Sequence, residues 1–137
     1  MRIIACALVI ALAACAMLPV AGVRQSTAQA SNGGTITIRM SDFVFEPEHI
    51  LLKAGVPVRL RLVNESGGGH DFSAPAFFAA SSLRPGPSAP SNGQMEVGSH
   101  QTVEIALVPH TRGTYPLECT HFLHSFFGMH GTIEVMP

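Results

Sequence analysis

The chain has 137 residues, of which 47% are hydrophobic and 12% charged, with a formal net charge of -1. That length suits one domain. The charge balance excludes a nucleic-acid binder, which would show a basic stripe, and the low charge excludes a disordered acidic or basic tail protein. Seven His are many for so short a chain, and they gather toward the C-terminus. The three Cys are Cys6, Cys15 and Cys119.

Residues 3–23 are almost wholly apolar, follow the positive Arg2 and are interrupted by Pro19. Ala28-Gln29-Ala30 then supplies a small-x-small cleavage signal before Ser31. A positive start, an apolar run and A-x-A together define an export signal over residues 1–30, ahead of a domain over residues 31–137. Two alternatives stand beside it. The run is long enough to span a bilayer as an uncleaved anchor. Leu12-Ala13-Ala14-Cys15 also resembles a bacterial lipobox, which would lipidate Cys15. All three place the domain in the periplasm or another extracytoplasmic space, and a membrane is involved only through the anchor or a lipid at Cys15.

Cleavage after Ala30 removes Arg2 and Arg24, leaving 107 residues with six basic against nine acidic, a formal charge of -3. It also removes Cys6 and Cys15. The remaining thiol, Cys119, then sits alone in an oxidising compartment. It is an intermolecular bridge, an inert buried side chain, or a reactive or metal-bound group.

The rest of the chain reads as strands. Thr35–Met40 alternates, with Ile36, Ile38 and Met40 on one face. Val58–Leu62 repeats the pattern, with Arg59 and Arg61 outward, and Thr102–Leu107 and Thr132–Val135 follow it. Period-two alternation predicts strands with one buried and one wet face. Shorter candidates are Phe43–Phe45, Ile50–Lys53 and Thr114–Cys119. Turn signals fall at Ala54-Gly55, Asn64 to Gly69, Ser91-Asn92-Gly93 and Arg112-Gly113. Many short strands with regular turns predict an antiparallel β-sandwich or barrel. Pro75 to Leu83 breaks the rhythm and predicts a short helix with Pro75 in its first turn. A Pro-, Gly- and Ser-rich surface loop follows over Arg84 to Asn92.

The chemistry concentrates in Cys119-Thr120-His121-Phe122-Leu123-His124-Ser125-Phe126-Phe127-Gly128-Met129-His130-Gly131. This segment joins two strands, so its ends come close. It can present a thiolate, an imidazole and a thioether to one point. His70, after the strand that begins at Val58, is the candidate for a second imidazole. Two His and a Cys in a plane with a weak axial Met form a blue-copper ligand set. Thiolate and thioether are soft and favour Cu(I), while imidazole suits both oxidation states. Zinc prefers four firm tetrahedral ligands, and Met is a poor one for it.

In order and spacing, these features resemble the bacterial cupredoxins of the plastocyanin and azurin superfamily, over residues 35–136. The resemblance rests on Asp42-Phe43-Val44-Phe45-Glu46-Pro47, Ala54-Gly55, Asn64 and His70-Asp71-Phe72. It rests also on Gly113-Thr114-Tyr115-Pro116-Leu117-Glu118-Cys119, then Cys-x4-His-x4-Met and the final Gly-Thr-Ile-Glu-Val strand. It implies an all-β, Greek-key antiparallel sandwich with a short helical excursion. It also implies one copper ion on His70, Cys119, His124 and Met129. Asp71 departs from the family, where many members carry Asn that helps order the ligand loops. An ionised carboxylate close to the metal would stabilise Cu(II) and lower the potential. The additional imidazoles His121 and His130 also depart from the four-ligand pattern.

His121 is read first as a group outside the ligand set, a neighbour of the site or a surface imidazole, with an alternative ligand as the remaining reading. If the strand ran on, it would share the Cys119 side. His130, His49, His100 and His110 read as polar surface. Phe122, Phe126 and Phe127, with Phe77 and Phe78, either pack one end of the sandwich or form an apolar rim for docking. The expected function is that of a monomeric, exported, single-electron shuttle. It is not an enzyme, and it meets redox partners by transient docking. The alternative is a copper storage, tolerance or delivery protein that meets copper donors and acceptors.

Overall fold

The computed structural model describes residues 26–30, 33–86 and 88–137. Cys6, Cys15 and most of the expected export segment lie outside these residues. Among the described residues the elements are β1 (Thr27–Gln29), β2 (Thr35–Ser41), β3 (Val44–Glu46), β4 (His49–Lys53), β5 (Val58–Asn64) and β6 (His70–Ser73). Then come α1 (Pro75–Ala79), β7 (Ser81–Leu83), β8 (Gln94–Val97), β9 (Thr102–Pro109), β10 (Gly113–Glu118) and β11 (His130–Met136). They form two sheets, in the orders β1-β4-β11-β10-β6-β8 and β3-β2-β5-β9-β7. The expected β-sandwich with one short helix is what the chain forms.

Alternation sets the layers. In β2, Ile36, Ile38 and Met40 are buried while Thr35, Arg39 and Ser41 are exposed. In β5, Val58, Leu60 and Leu62 face inward between the exposed Arg59 and Arg61. The inward residues of one sheet meet Ile50, Leu52, Leu117, Ile133 and Val135 of the other in a common core. Fully burying one such side chain contributes about 1.5–3 kcal/mol. The exposed pairs Arg39–Glu65 at 3.1 Å and Arg59–Glu104 at 3.2 Å add little beside that, at most about 1 kcal/mol each.

Three pairings run parallel: β1 with β4, β4 with β11, and β2 with β5. They join segments distant in sequence, which is how the chain passes between the sheets. The others are antiparallel, including the β10–β11 pair that carries the Cys119 loop. That pair holds its register from Gly113 opposite Val135 to Glu118 opposite His130. Gly131 fits there because a Cβ would lie 2.4 Å from the Glu48 carbonyl oxygen.

Several elements differ from the sequence expectation. The helix stops at Ala79, and Ser81–Leu83 becomes an edge strand on β9. Phe77 and Phe78 are buried in the core, not at a rim. β6 is buried along its whole length and therefore shows no alternation. At Asn92-Gly93 both residues have positive φ, 52° and 76°, and Ser91 and Gln94 exchange both backbone hydrogen bonds. This is the tight two-residue turn that an Asn-Gly pair favours, and β8 follows it. β1 belongs to the segment assigned to the export signal. It pairs Thr27–Gln29 with His49–Leu51, and Ala30 donates its N–H to the Leu51 carbonyl. No helix among the described residues is long and apolar enough to cross a membrane.

Candidate metal centre

The site lies where β6, the end of β10 and the β10–β11 loop meet. β6 pairs with β10 through Ser73 opposite Glu118, which brings His70 and Asp71 beside Cys119. Cys119 follows directly on β10, and its N–H donates to the Met129 carbonyl at 3.1 Å. That bond closes the base of the loop. Above it the chain coils in successive turns: His124 N–H to His121 O, Phe127 N–H to Leu123 O, and Met129 N–H to His124 O, each at 3.0 Å. Leu123 takes a left-handed conformation, φ 63°, inside this coil. The compact winding brings His124 back over Cys119.

Three of the four expected site residues present donor atoms to one point. Cys119 Sγ lies 3.4 Å from His124 Nδ1 and 3.8 Å from His70 Nδ1, and the two Nδ1 atoms are 3.1 Å apart. A metal held in a plane at about 2.0 Å from nitrogen and about 2.3 Å from sulfur needs donors separated by about 3.5–3.7 Å. The spacing of this trio fits such an ion with adjustments of a few tenths of an ångström. Met129, the fourth expected residue, is fully buried at the base of the same loop.

Burial shapes the chemistry of the donors. Cys119 and His70 are almost fully buried, 0% and 1% exposed, and His124 is half-buried. Burial pushes the Cys119 thiol above its ordinary range, partly offset by hydrogen bonds from the backbone of Asp71 and His121. Burial, with the neighbouring His124, pushes His70 below the ordinary imidazole value. Without metal the pocket therefore favours a neutral thiol and a neutral His70. A cation of the right size reverses this for the thiol, because metal binding displaces the proton.

Asp71 clasps the loop. Its backbone N–H points at Cys119 Sγ at 3.5 Å. One carboxylate oxygen accepts the Thr120 N–H at 2.7 Å, and the other accepts the Thr120 hydroxyl. The carboxylate thus does the loop-ordering work expected of Asn and places a negative group beside the donors.

His121 does not continue the strand, since β10 ends at Glu118. Its Nε2 lies 3.1 Å from both carboxylate oxygens of Glu96. Its ring centre is 5.4 Å from that of His124 and 6.5 Å from that of His70. Asp71, Glu96 and His121 form a second group of possible donors next to the first. His130 is exposed, as expected. His49 is not simple surface: it is half-buried, its Nδ1 meets the Thr132 hydroxyl, and its Nε2 is buried without a partner among the described residues.

The aromatic residues divide. Phe122, Phe126 and Phe127 are 87%, 80% and 56% exposed, so these three form an apolar rim. Phe43, from the β2–β3 turn, packs edge-on against the His124 ring at 5.2 Å and against Phe127 at 5.0 Å. Sequence reading missed Phe43, although its place in the quoted Asp42–Pro47 motif was the available signal. It also missed the contact of the Ser66 hydroxyl with His70, and that of Asn64 with Ser66 behind it.

A two-sheet sandwich with two His, a Cys and a buried Met gathered at the final hairpin is the architecture of a small metal-binding β domain. The chain belongs to the family of cupredoxin-like domains, whose pattern it matches over residues 7–135. No curated protein matches the sequence significantly. Among solved structures, auracyanin B is similar in fold, with 19% identity and a TM-score of 0.59, covering 79% of this chain and 92% of its own. Reduced auracyanin of the photosynthetic bacterium Roseiflexus castenholzii has 15% identity and a TM-score of 0.59, covering 79% and 100%. The metal-binding domain of the Cu(I)-exporting P-type ATPase of Streptococcus pneumoniae, with Cu(I), has 17% identity and a TM-score of 0.58, covering 83% and 99%.

Proposed function

We propose that the protein is an exported single-electron carrier in which His70, Cys119 and His124 hold one copper ion and Met129 caps it. The observation that carries this reading is the convergence of the three donor atoms within 3.8 Å of one another in a largely buried pocket. Copper held there supplies a one-electron Cu(I)/Cu(II) couple. The chain does the rest. Cys119, buried and tied at its N–H to Met129, offers a sulfur fixed in position. His70 comes from a strand buried on both faces and excludes water from its side. His124, half-buried under Phe43, is the route to the surface. Phe122, Phe126 and Phe127 around it offer a small apolar contact area. That suits the brief, weak encounters typical of redox partners. The reading involves no conversion of a substrate, so the protein is proposed as a carrier and not as an enzyme. Its place is the periplasm or another extracytoplasmic space, free or tethered at Cys15.

Copper titration of the chain, followed by visible and electron-spin-resonance spectra, tests this. One equivalent should produce an intense thiolate-to-Cu(II) band, and Cys119→Ser should abolish it. An unaltered band after His70→Ala would overturn the ligand assignment.

A second reading, copper as cargo in storage or delivery, is favoured by one observation. His121 and Glu96 stand at the mouth of the site, within ring contact distance of His124. They offer a stepping point for an ion entering or leaving. Rapid loss of copper to a chelator with sluggish redox cycling supports this reading. Slow loss with reversible one-electron reduction supports the carrier.

A further inference from the structure

His70 is held from behind by a side-chain network anchored on main-chain carbonyls. The Asn64 amide nitrogen donates to the carbonyls of Gly68 at 2.7 Å, Val97 at 3.0 Å and Gly98 at 3.1 Å. Carbonyls only accept, so these contacts fix which end of the amide is nitrogen. The Asn64 oxygen must therefore point the other way. There it accepts the Ser66 N–H at 2.9 Å and meets the Ser66 hydroxyl at 2.8 Å.

The Ser66 hydroxyl has one proton to give. Its other oxygen neighbour is the Gly68 carbonyl at 3.1 Å, again only an acceptor. A proton turned toward His70 would leave two acceptor oxygens, at 2.8 and 3.1 Å, facing the Ser66 oxygen with no hydrogen between them, so the hydroxyl proton goes to one of these two and points away from His70. The Ser66 oxygen, 2.9 Å from His70 Nε2, is left with lone pairs toward that nitrogen. A good hydrogen bond there requires Nε2 to carry the proton. Asp42, with a carboxylate oxygen 3.9 Å from the same nitrogen, favours the same assignment. A neutral imidazole has one N–H, so Nδ1 is bare. Nδ1 is the atom that faces Cys119 and His124.

We propose that Asn64 and Ser66 are positioning residues that hold His70 as its Nε2–H tautomer, so that Nδ1 presents a lone pair to the donor cluster before any metal arrives. The relay starts from three carbonyls on two separate segments, Gly68 on one and Val97 and Gly98 on the other. Its geometry therefore depends on the sandwich and not on the metal. Groups that orient a ligating His typically contribute 10–100-fold in metal affinity. The tautomer assignment stands on the hydrogen bonds alone, while its consequence for copper rests on the proposed function.

The test separates the two. Nitrogen-15 correlation spectra of histidine-labelled apoprotein at about pH 8, where imidazole is neutral, should show His70 protonated at Nε2 and bare at Nδ1. Ser66→Ala should produce a mixture of tautomers and weaken copper binding about 10–100-fold in chelator competition. A native His70 protonated at Nδ1, or a Ser66→Ala variant whose His70 keeps a pure Nε2–H signal, overturns the relay. Native Nε2–H together with the complete absence of a copper–thiolate band upholds the relay and removes the proposed function instead.

Discussion

Asp71 acts on the donor cluster through separate atoms. Its main chain restrains the Cys119 sulfur, and its carboxylate ties Thr120, so position and charge can be varied independently. Asp71→Asn keeps an oxygen for the Thr120 N–H and removes the negative group. With less stabilisation of the more highly charged ion, the reduction potential should rise, and protein-film voltammetry reads the shift. Met129 allows a complementary pair of substitutions. Met129→Leu removes a donor and should raise the potential, whereas Met129→Gln offers a harder oxygen, which favours Cu(II), and should lower it. Equal potentials in the two variants would count against an axial role for this position. These residues were legible from sequence because Cys119, His124 and Met129 occupy one loop with regular spacing. Ser66, Asn64 and Phe43 were not. Each acts through contacts created by folding, and a Ser or Asn in a Gly-rich turn carries no mark of the side chain it meets.

The β10–β11 loop is rigid at its base and apolar at its tip. At the base, Gly131 packs against the Glu48 carbonyl with no room for a Cβ. Gly131→Ala should therefore destabilise the fold by about 1–3 kcal/mol through overpacking, read as a lowered midpoint in urea unfolding. At the tip the opposite holds. Phe122→Ser and Phe126→Ser alter exposed side chains and should leave stability within about 0.5 kcal/mol. Stopped-flow electron exchange with a physiological partner should nevertheless slow if the rim is the docking surface. Unchanged exchange rates in both variants would remove the rim from the docking model. The strands with one wet face, β2, β5, β9 and β11, were legible because burial on one side imposes alternation. β6 was not, because His70, Asp71, Phe72 and Ser73 are all buried and no alternation is left to see. β7 was read as helix because Pro75 and the following Ala and Phe residues favour a turn of helix. Pairing with Val108 and Pro109 of β9 decided the matter for Ser81 and Ser82.

At the scale of the molecule, the donor cluster makes stability depend on pH. Burial lowers the His70 pKa in the folded state below that in the unfolded chain. The unfolded state therefore binds the proton more readily. The contribution of neutral His70 is present above about pH 6.5 and is lost as pH falls through the lowered folded value. Apoprotein denaturation midpoints should decline over that interval, and His70→Phe should flatten the profile there. Copper uptake has its own slope. The Cys119 thiol is raised by burial, and its proton must leave for the sulfur to ligate. Affinity should therefore grow about tenfold per pH unit while the thiol is protonated.

β1 reaches beyond the metal centre in its consequences. It is only three residues long, and it covers one side of β4 while β11 covers the other. Removal of the chain through Ala30 would leave Ser26, Thr27, Ala28 and Gln29 missing from that side. The main-chain groups of His49–Leu51 would then face solvent, a template on which a second chain can add a strand. The point at which the folded chain begins would then govern self-association. A polypeptide starting at Ser31 is expected to dimerise or precipitate at concentrations where one starting at Ser26 stays monomeric, a difference that light scattering resolves.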